Sequence, residues 1–211
     1  MAVTGLVFIG YVLLHMYGNL KIFAGREAFD TYAHHLRTIG EPFLPYAGLI
    51  WILRAVLIVS LVVHVYSAVT LWRRARAART QRYSVTKRLA ATWSSRTMRY
   101  GGIFLLLFIV FHLLHLTTQT INPGGEEPTP YDRVVTSFAP ENWWVDVVYL
   151  LAMAALAMHL RHGTWSAAQT LGFTNSPKTR HAANLLGYTL AVVIAGGFAL
   201  VPLAVLVGIV D

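Results

Sequence analysis

Residues 102–116 read Gly-Ile-Phe-Leu-Leu-Leu-Phe-Ile-Val-Phe-His-Leu-Leu-His-Leu. Polar residues enter this run only as His112 and His115, and apolar and polar positions do not alternate. A strand in the wall of a membrane barrel alternates over segments of about 10 residues. A helix crossing a hydrocarbon core of about 30 Å needs about 20 mainly apolar residues at about 1.5 Å of rise each. The stretch therefore reads as part of a membrane-spanning helix, at 100–121. Working outward, four more runs of that kind lie at 2–23, 47–72, 143–160 and 185–210. The expected fold is all-α, a polytopic membrane protein with five transmembrane helices in one bundle.

Composition agrees. Of 211 residues, 56% are hydrophobic and only 12% charged, where a soluble domain is about a quarter charged. There is no cysteine. Disulfides, thiolate-held iron–sulfur clusters and a Cys-x-x-Cys-His haem attachment are thereby excluded from this chain. The first run leads into Gly-Asn-Leu-Lys without a basic start or a small-residue cleavage site, so it is expected to be a span rather than a signal peptide.

The net charge of +8 is explained by where the charges sit. Residues 73–99 hold Arg73, Arg74, Arg76, Arg79, Arg82, Lys87, Arg88, Arg96 and Arg99 and no acid. The connection after the fourth run adds Arg161, Lys178 and Arg180, again without acids. By the positive-inside rule both face the cytoplasm. The other connections carry Glu27, Asp30, Glu41, Glu126, Glu127, Asp132 and Glu141, with Asp146 and Asp211 towards the same side. Five spans then put the N-terminus inside and the C-terminus outside. The basic segment is expected to meet lipid headgroups and a cytoplasmic partner, not nucleic acid. Residues 122–142, opening on Asn-Pro-Gly-Gly, read as a turn and surface loop, and Trp143 and Trp144 as interfacial anchors.

Four of the five runs hold interior histidines: His15, His64, His112 with His115, and His159 with His162. An ionisable ring inside a span is costly and marks function. His15 lies roughly 12 Å of helical rise from the outer end of its span and His112 roughly 13 Å. His64 and His159 both lie towards the inner ends. The depths thus offer an outer pair, His15 with His112, and an inner pair, His64 with His159. Imidazole is a common axial ligand of haem iron, and two haems at different depths would carry electrons across the bilayer. Gly18, Ser67 and Ala68 would let a flat macrocycle approach the backbone, although small residues also serve plain helix packing. His115 and His162 fit helix–helix hydrogen bonds, or a place beside a propionate or quinone. His34, His35 and His181 fall near membrane boundaries. A transporter using the histidines as a proton relay is the competing class; such transporters show inverted repeats and broken helices, and neither is evident.

Further stretches carry a resemblance: His15-Met-Tyr-Gly-Asn-Leu, Gly25-Arg-Glu-Ala-Phe-Asp-Thr-Tyr-Ala-His34, His64-Val-Tyr-Ser, and above all His159-Leu-Arg-His-Gly163-Thr-Trp165-Ser166, continuing through Gln169-Thr-Leu-Gly172 to Ser176-Pro177. Over essentially its whole length the chain resembles the cytochrome b membrane-anchor subunit of succinate dehydrogenase and fumarate reductase, of the single-anchor, five-helix dihaem type found in Gram-positive bacteria. That family usually carries a short polar, basic lead-in before its first helix, where this sequence opens on the apolar run.

The resemblance implies one transmembrane cytochrome b domain over residues 1–211 and two haem b groups. It assigns His15 and His112 to the distal haem and His64 and His159 to the proximal one. It implies a bacterial cell-membrane location, and a flavoprotein and an iron–sulfur subunit on the cytoplasmic face, with further association of the complex left open. Succinate is oxidised at the flavin of the partner, and electrons pass to a membrane quinone, often menaquinone. No flavin or succinate site falls on this chain. Candidates for donors to the quinone carbonyls are His34, His35, Arg37 and Glu41 on the outer side, and Ser95, Arg96 and His162 on the inner side. A related alternative is the dihaem anchor of another quinone-linked dehydrogenase, such as a formate dehydrogenase or hydrogenase. The fifth helix and the Gly163-Thr-Trp-Ser stretch argue against it.

Overall fold

The computed structural model describes residues 1–78 and 93–211, with side chains throughout except at 93–96. Seven α-helices are present among the described residues, and no strand. Five long stretches are apolar enough to cross a membrane, which bears out the five-span reading of an all-α membrane bundle.

The first crossing is α1, Ala2–Leu20, extended by a single 3₁₀ turn to Ala24. Gly25 then turns the chain at φ 91°, a left-handed value that favours glycine. It opens α2, Arg26–Thr38, an amphipathic helix that crosses no membrane. The second crossing is α3, Gly48–Ala77. The third, α4, runs Trp93–His112 and passes into a π turn at Leu113–Thr117. A short α5, Pro130–Ser137, follows; then come α6, Trp143–Thr170, and α7, Pro177–Leu206, the last two crossings.

Several elements depart from the sequence reading: α3 runs to Ala77 rather than 72 and α4 begins at Trp93 rather than 100, and three further departures have a visible reason. Helix α6 runs ten residues past the expected end at 160, because Arg161, His162 and Gly163 continue the backbone helix after the apolar composition has ended. Helix α7 begins eight residues early: Ser176 and Thr179 cap each other's backbone and Pro177 sits at the first helical position, where its missing N–H costs nothing. Residues 122–142 are more than a surface loop. The Thr129 hydroxyl accepts the Asp132 N–H at 3.1 Å and Pro130 follows it, so α5 starts there. That helix buries Tyr131 and Val134, and Phe138 beyond it is buried too.

Helices α6 and α7 pack along most of their length and form the spine of the bundle. Ala152, Ala155, Ala183, Ala191 and Ala195 are buried there, and a Cβ on Gly187 would stand 2.8 Å from the Arg161 carbonyl oxygen. Small residues of this kind let membrane helices approach closely. Helix α1 packs on α6, α7 and α3, and α4 packs on α6. Two helix pairs therefore face each other, α1 with α3 and α4 with α6. Across the gap, α1 with α4 and α3 with α6 pack little if at all. The outward faces of α3 and α4 carry exposed large apolar side chains such as Trp51, Ile58, Val62 and Leu107, as a lipid-facing surface requires.

Candidate functional site: two histidine pairs across the bundle

The four histidines meet across that gap. The rings of His15 on α1 and His112 on α4 have centroids 5.9 Å apart. Those of His64 on α3 and His159 on α6 are 6.3 Å apart. Two imidazoles bound through nitrogen to opposite sides of one metal, at about 2 Å each, have centroids about 6 Å apart. Both pairs stand at that separation, on helices otherwise barely in contact.

Three helices give the spacing of the two levels independently. Gly5 and Gly102 flank the inner pair: a Cβ on Gly5 would lie 3.9 Å from His64 Cε1, and one on Gly102 3.8 Å from His159 Cε1. Gly5 precedes His15 by ten residues on α1, Gly102 precedes His112 by ten on α4, and Tyr149, which touches His112, precedes His159 by ten on α6. Ten helical residues rise about 15 Å, so the levels lie about 15 Å apart along the bundle.

Hydrogen bonding prepares His64 as a ligand. The Thr4 hydroxyl donates its one proton to the Met1 carbonyl at 2.9 Å. It also lies 3.0 Å from His64 Nδ1, where its oxygen can accept an Nδ1–H. With the proton on Nδ1, the Nε2 lone pair is free for a metal, a typical outer arrangement for a ligating histidine. His159 Nδ1 is buried without a hydrogen-bond partner among the described residues. At the outer level, the Tyr149 hydroxyl lies 3.1 Å from His112 Nδ1 and 3.0 Å from Nδ1 of the buried His115. Tyr11 stacks on His15 at 5.4 Å and Phe8 meets His64 edge-on at 5.7 Å.

No group of three or more His, Cys, Asp or Glu side chains could hold a bare metal ion among the described residues. Two facing imidazoles suit a metal that brings its other four ligands in a flat macrocycle. The facing imidazoles at both levels, with Gly5 and Gly102 beside the inner pair, would fit a haem, which His15 with His112 and His64 with His159 would hold.

The remaining sequence candidates are scattered. His34 and His35 are exposed on α2, His34 with its ring 6.4 Å from Tyr46. Arg37 donates to the Ala33 carbonyl at 2.7 Å. Glu41 is exposed. The side chains of Ser95 and Arg96 lie outside the described residues. His162 is half-buried near Trp165, at 6.4 Å, one turn beyond His159 on the same helix. Gly18 does not face the gap: its Cβ would stand 3.0 Å from the Tyr32 ring, so it serves the packing of α2 on α1. Thr4, Gly5, Gly102 and Tyr149 were missed from sequence, since a lone hydroxyl or glycine in an apolar span carries no pattern of its own.

Residues 70–201 match the family model for the succinate dehydrogenase/fumarate reductase transmembrane subunit, a stretch that holds His112, Tyr149 and His159. No curated protein and no solved structure matches the chain. The match covers more than half of the sequence and agrees with a bundle of five apolar helices. The chain belongs to the succinate dehydrogenase/fumarate reductase transmembrane subunit family.

Proposed function

We propose that this membrane subunit is of the single-anchor dihaem type and carries electrons from an iron–sulfur subunit, through an inner and then an outer haem b, to a membrane quinone. The observation that carries the reading is the pair of histidine couples, each at ligand separation, about 15 Å apart along the bundle. Haem iron held by two histidines has no open position and supplies one-electron transfer. The chain's own part is to hold the imidazoles. Helices α1 and α4 bring His15 to His112, and α3 and α6 bring His64 to His159. Thr4 holds the His64 ring through Nδ1, while Gly5 and Gly102 place no side chain beside the inner pair.

Residues 73–99 and the turn between α6 and α7 carry the basic residues that place this end in the cytoplasm. In this reading they dock the iron–sulfur subunit, which in turn carries the flavoprotein where succinate is oxidised, at a bacterial cell membrane. The quinone, of the menaquinone class, reacts at the outer end, near α2 and the segment that follows it. His34, His35, Arg37 and Glu41 supply hydrogen-bond groups there. The test is a redox difference spectrum of the purified complex. Succinate should produce low-spin b-type bands of two components. A complex whose bands do not respond to succinate would contradict the electron path.

A further inference from the structure

The hydroxyl of Tyr149 sits between two histidines, only one of which the proposed function uses. It is 3.1 Å from His112 Nδ1 and 3.0 Å from His115 Nδ1. A phenol has one proton, so it can donate to one of these nitrogens and must accept from the other. With His112 holding the outer haem through Nε2, its Nδ1 carries a proton and donates to Tyr149. Tyr149 then donates to His115 Nδ1, and the His115 proton rests on Nε2. The chain has one polarity, from His112 through Tyr149 to His115.

The surroundings hold this arrangement in place. The Tyr149 ring is met edge-on by Phe108 at 4.9 Å and by Phe138 at 4.8 Å, which leaves the hydroxyl little room to move. His115 is 1% exposed and stacks on Phe111 at 5.3 Å. Its Nε2 has no partner among the described residues, so its whole polar engagement is with Tyr149. The helix changes to a π turn directly after His112, and His115 lies in that turn. Such turns concentrate at functional sites.

We propose that Tyr149 is a positioning residue for the outer ligand His112, and that His115 acts through Tyr149 by accepting its hydrogen bond. The inference rests on the proposed ligation of a haem by His112. Donation from Nδ1–H makes an imidazole more basic towards its metal, which favours the oxidised iron. Chains of hydrogen bonds strengthen one another, so the His115 acceptor makes Tyr149 a better acceptor for His112.

The experiment is a redox titration of both haems in the purified complex, with haem content measured alongside. Tyr149→Phe keeps the ring and removes the hydroxyl. It should retain two haems, shift the outer haem several-fold towards its reduced form, and leave the inner haem where it was. His115→Leu should shift the outer haem in the same direction by less. The double variant should match Tyr149→Phe alone, since His115 acts only through the hydroxyl. An unmoved outer haem in Tyr149→Phe, or an equal shift of both haems, would overturn the proposal. If Tyr149→Phe loses haem, His115→Leu decides, because it leaves the Tyr149 clamp intact: a shift supports the proposal and an unmoved midpoint overturns it. Loss of the outer haem from His115→Leu would overturn it too. A wild-type complex without an outer haem removes the underlying ligation instead, and this is visible before any variant is made.

Discussion

The Thr4 hydroxyl stands between the Met1 carbonyl and His64 Nδ1. When its proton goes to the Met1 carbonyl, the Thr4 oxygen accepts from His64 Nδ1, and Nε2 is left bare. Thr4→Val keeps the shape and removes the acceptor. It should retain both haems and shift the inner one several-fold towards its reduced form, read by redox titration with the outer haem as internal control. His64→Ala and His159→Ala should each remove the inner haem and spare the outer, and His15→Ala and His112→Ala the reverse. Absorption spectra of the purified variants read which component is missing. The four histidines were legible in the sequence because an ionisable ring in an apolar run stands out. Thr4 and Tyr149 were not, because which neighbour a hydroxyl reaches depends on how one helix is rotated against the next.

Helix α4 places Gly102 beside His159, where a Cβ would be in ordinary contact at 3.8 Å from Cε1 and, in the proposed reading, a leucine side chain would reach on into the space of the macrocycle. Gly102→Leu should therefore abolish the inner haem and leave the outer one, measured as haem content against protein. A variant retaining both haems would mean the gap is not where the macrocycle lies. Helices α2 and α5 meet outside the membrane, where Arg26 pairs with Asp132 and Asp30 accepts the Tyr131 N–H at 3.0 Å. The Arg26 hydrogen bond, helped by the Thr129 hydroxyl, holds the Asp132 carboxyl below its ordinary value. A carboxyl with a lowered folded value stabilises above the unfolded value and loses that contribution as pH falls through the folded one. Asp132→Asn should lower the melting temperature of the complex at pH 7, and the difference should fade on the acid side of the ordinary carboxylate range. The effect should be small, since Arg26 is 54% and Asp132 22% exposed. The existence of the five spans was legible from apolar run length. Their ends and α5 were not: hydropathy reports where apolar residues stop, whereas caps such as Ser176 and Thr129 decide where the backbone helix begins.

In the whole molecule, the family, the five crossings and the charge pattern combine into one arrangement. Among the described residues, Arg73, Arg74, Arg76 and Arg99 of the basic segment 73–99 and the basic residues near 161–180 stand at one end of the five crossings, and the acids towards the other. Residues 79–92 of that basic segment lie outside the described residues, so its docking role rests on charge alone. The chain should co-purify from membranes with an iron–sulfur subunit and a flavoprotein; isolation as a stable lone protein in mild detergent would count against this. Electrons leaving a negative interior for an outer quinone move downhill in the membrane potential, by about 2.3 kcal/mol per charge per 100 mV. Collapsing the potential in intact membranes should therefore slow succinate-to-quinone transfer, and an unchanged rate with quinone bound near Ser95 and Arg96 would move the site inward. The pairing of His15 with His112 and of His64 with His159 is the centre of all of this, and haem content tests it most directly. Pyridine haemochrome assay of the purified complex should give two b haems per copy of this chain, falling to one in His64→Ala with the outer component retained. A wild-type value near zero or one would contradict it.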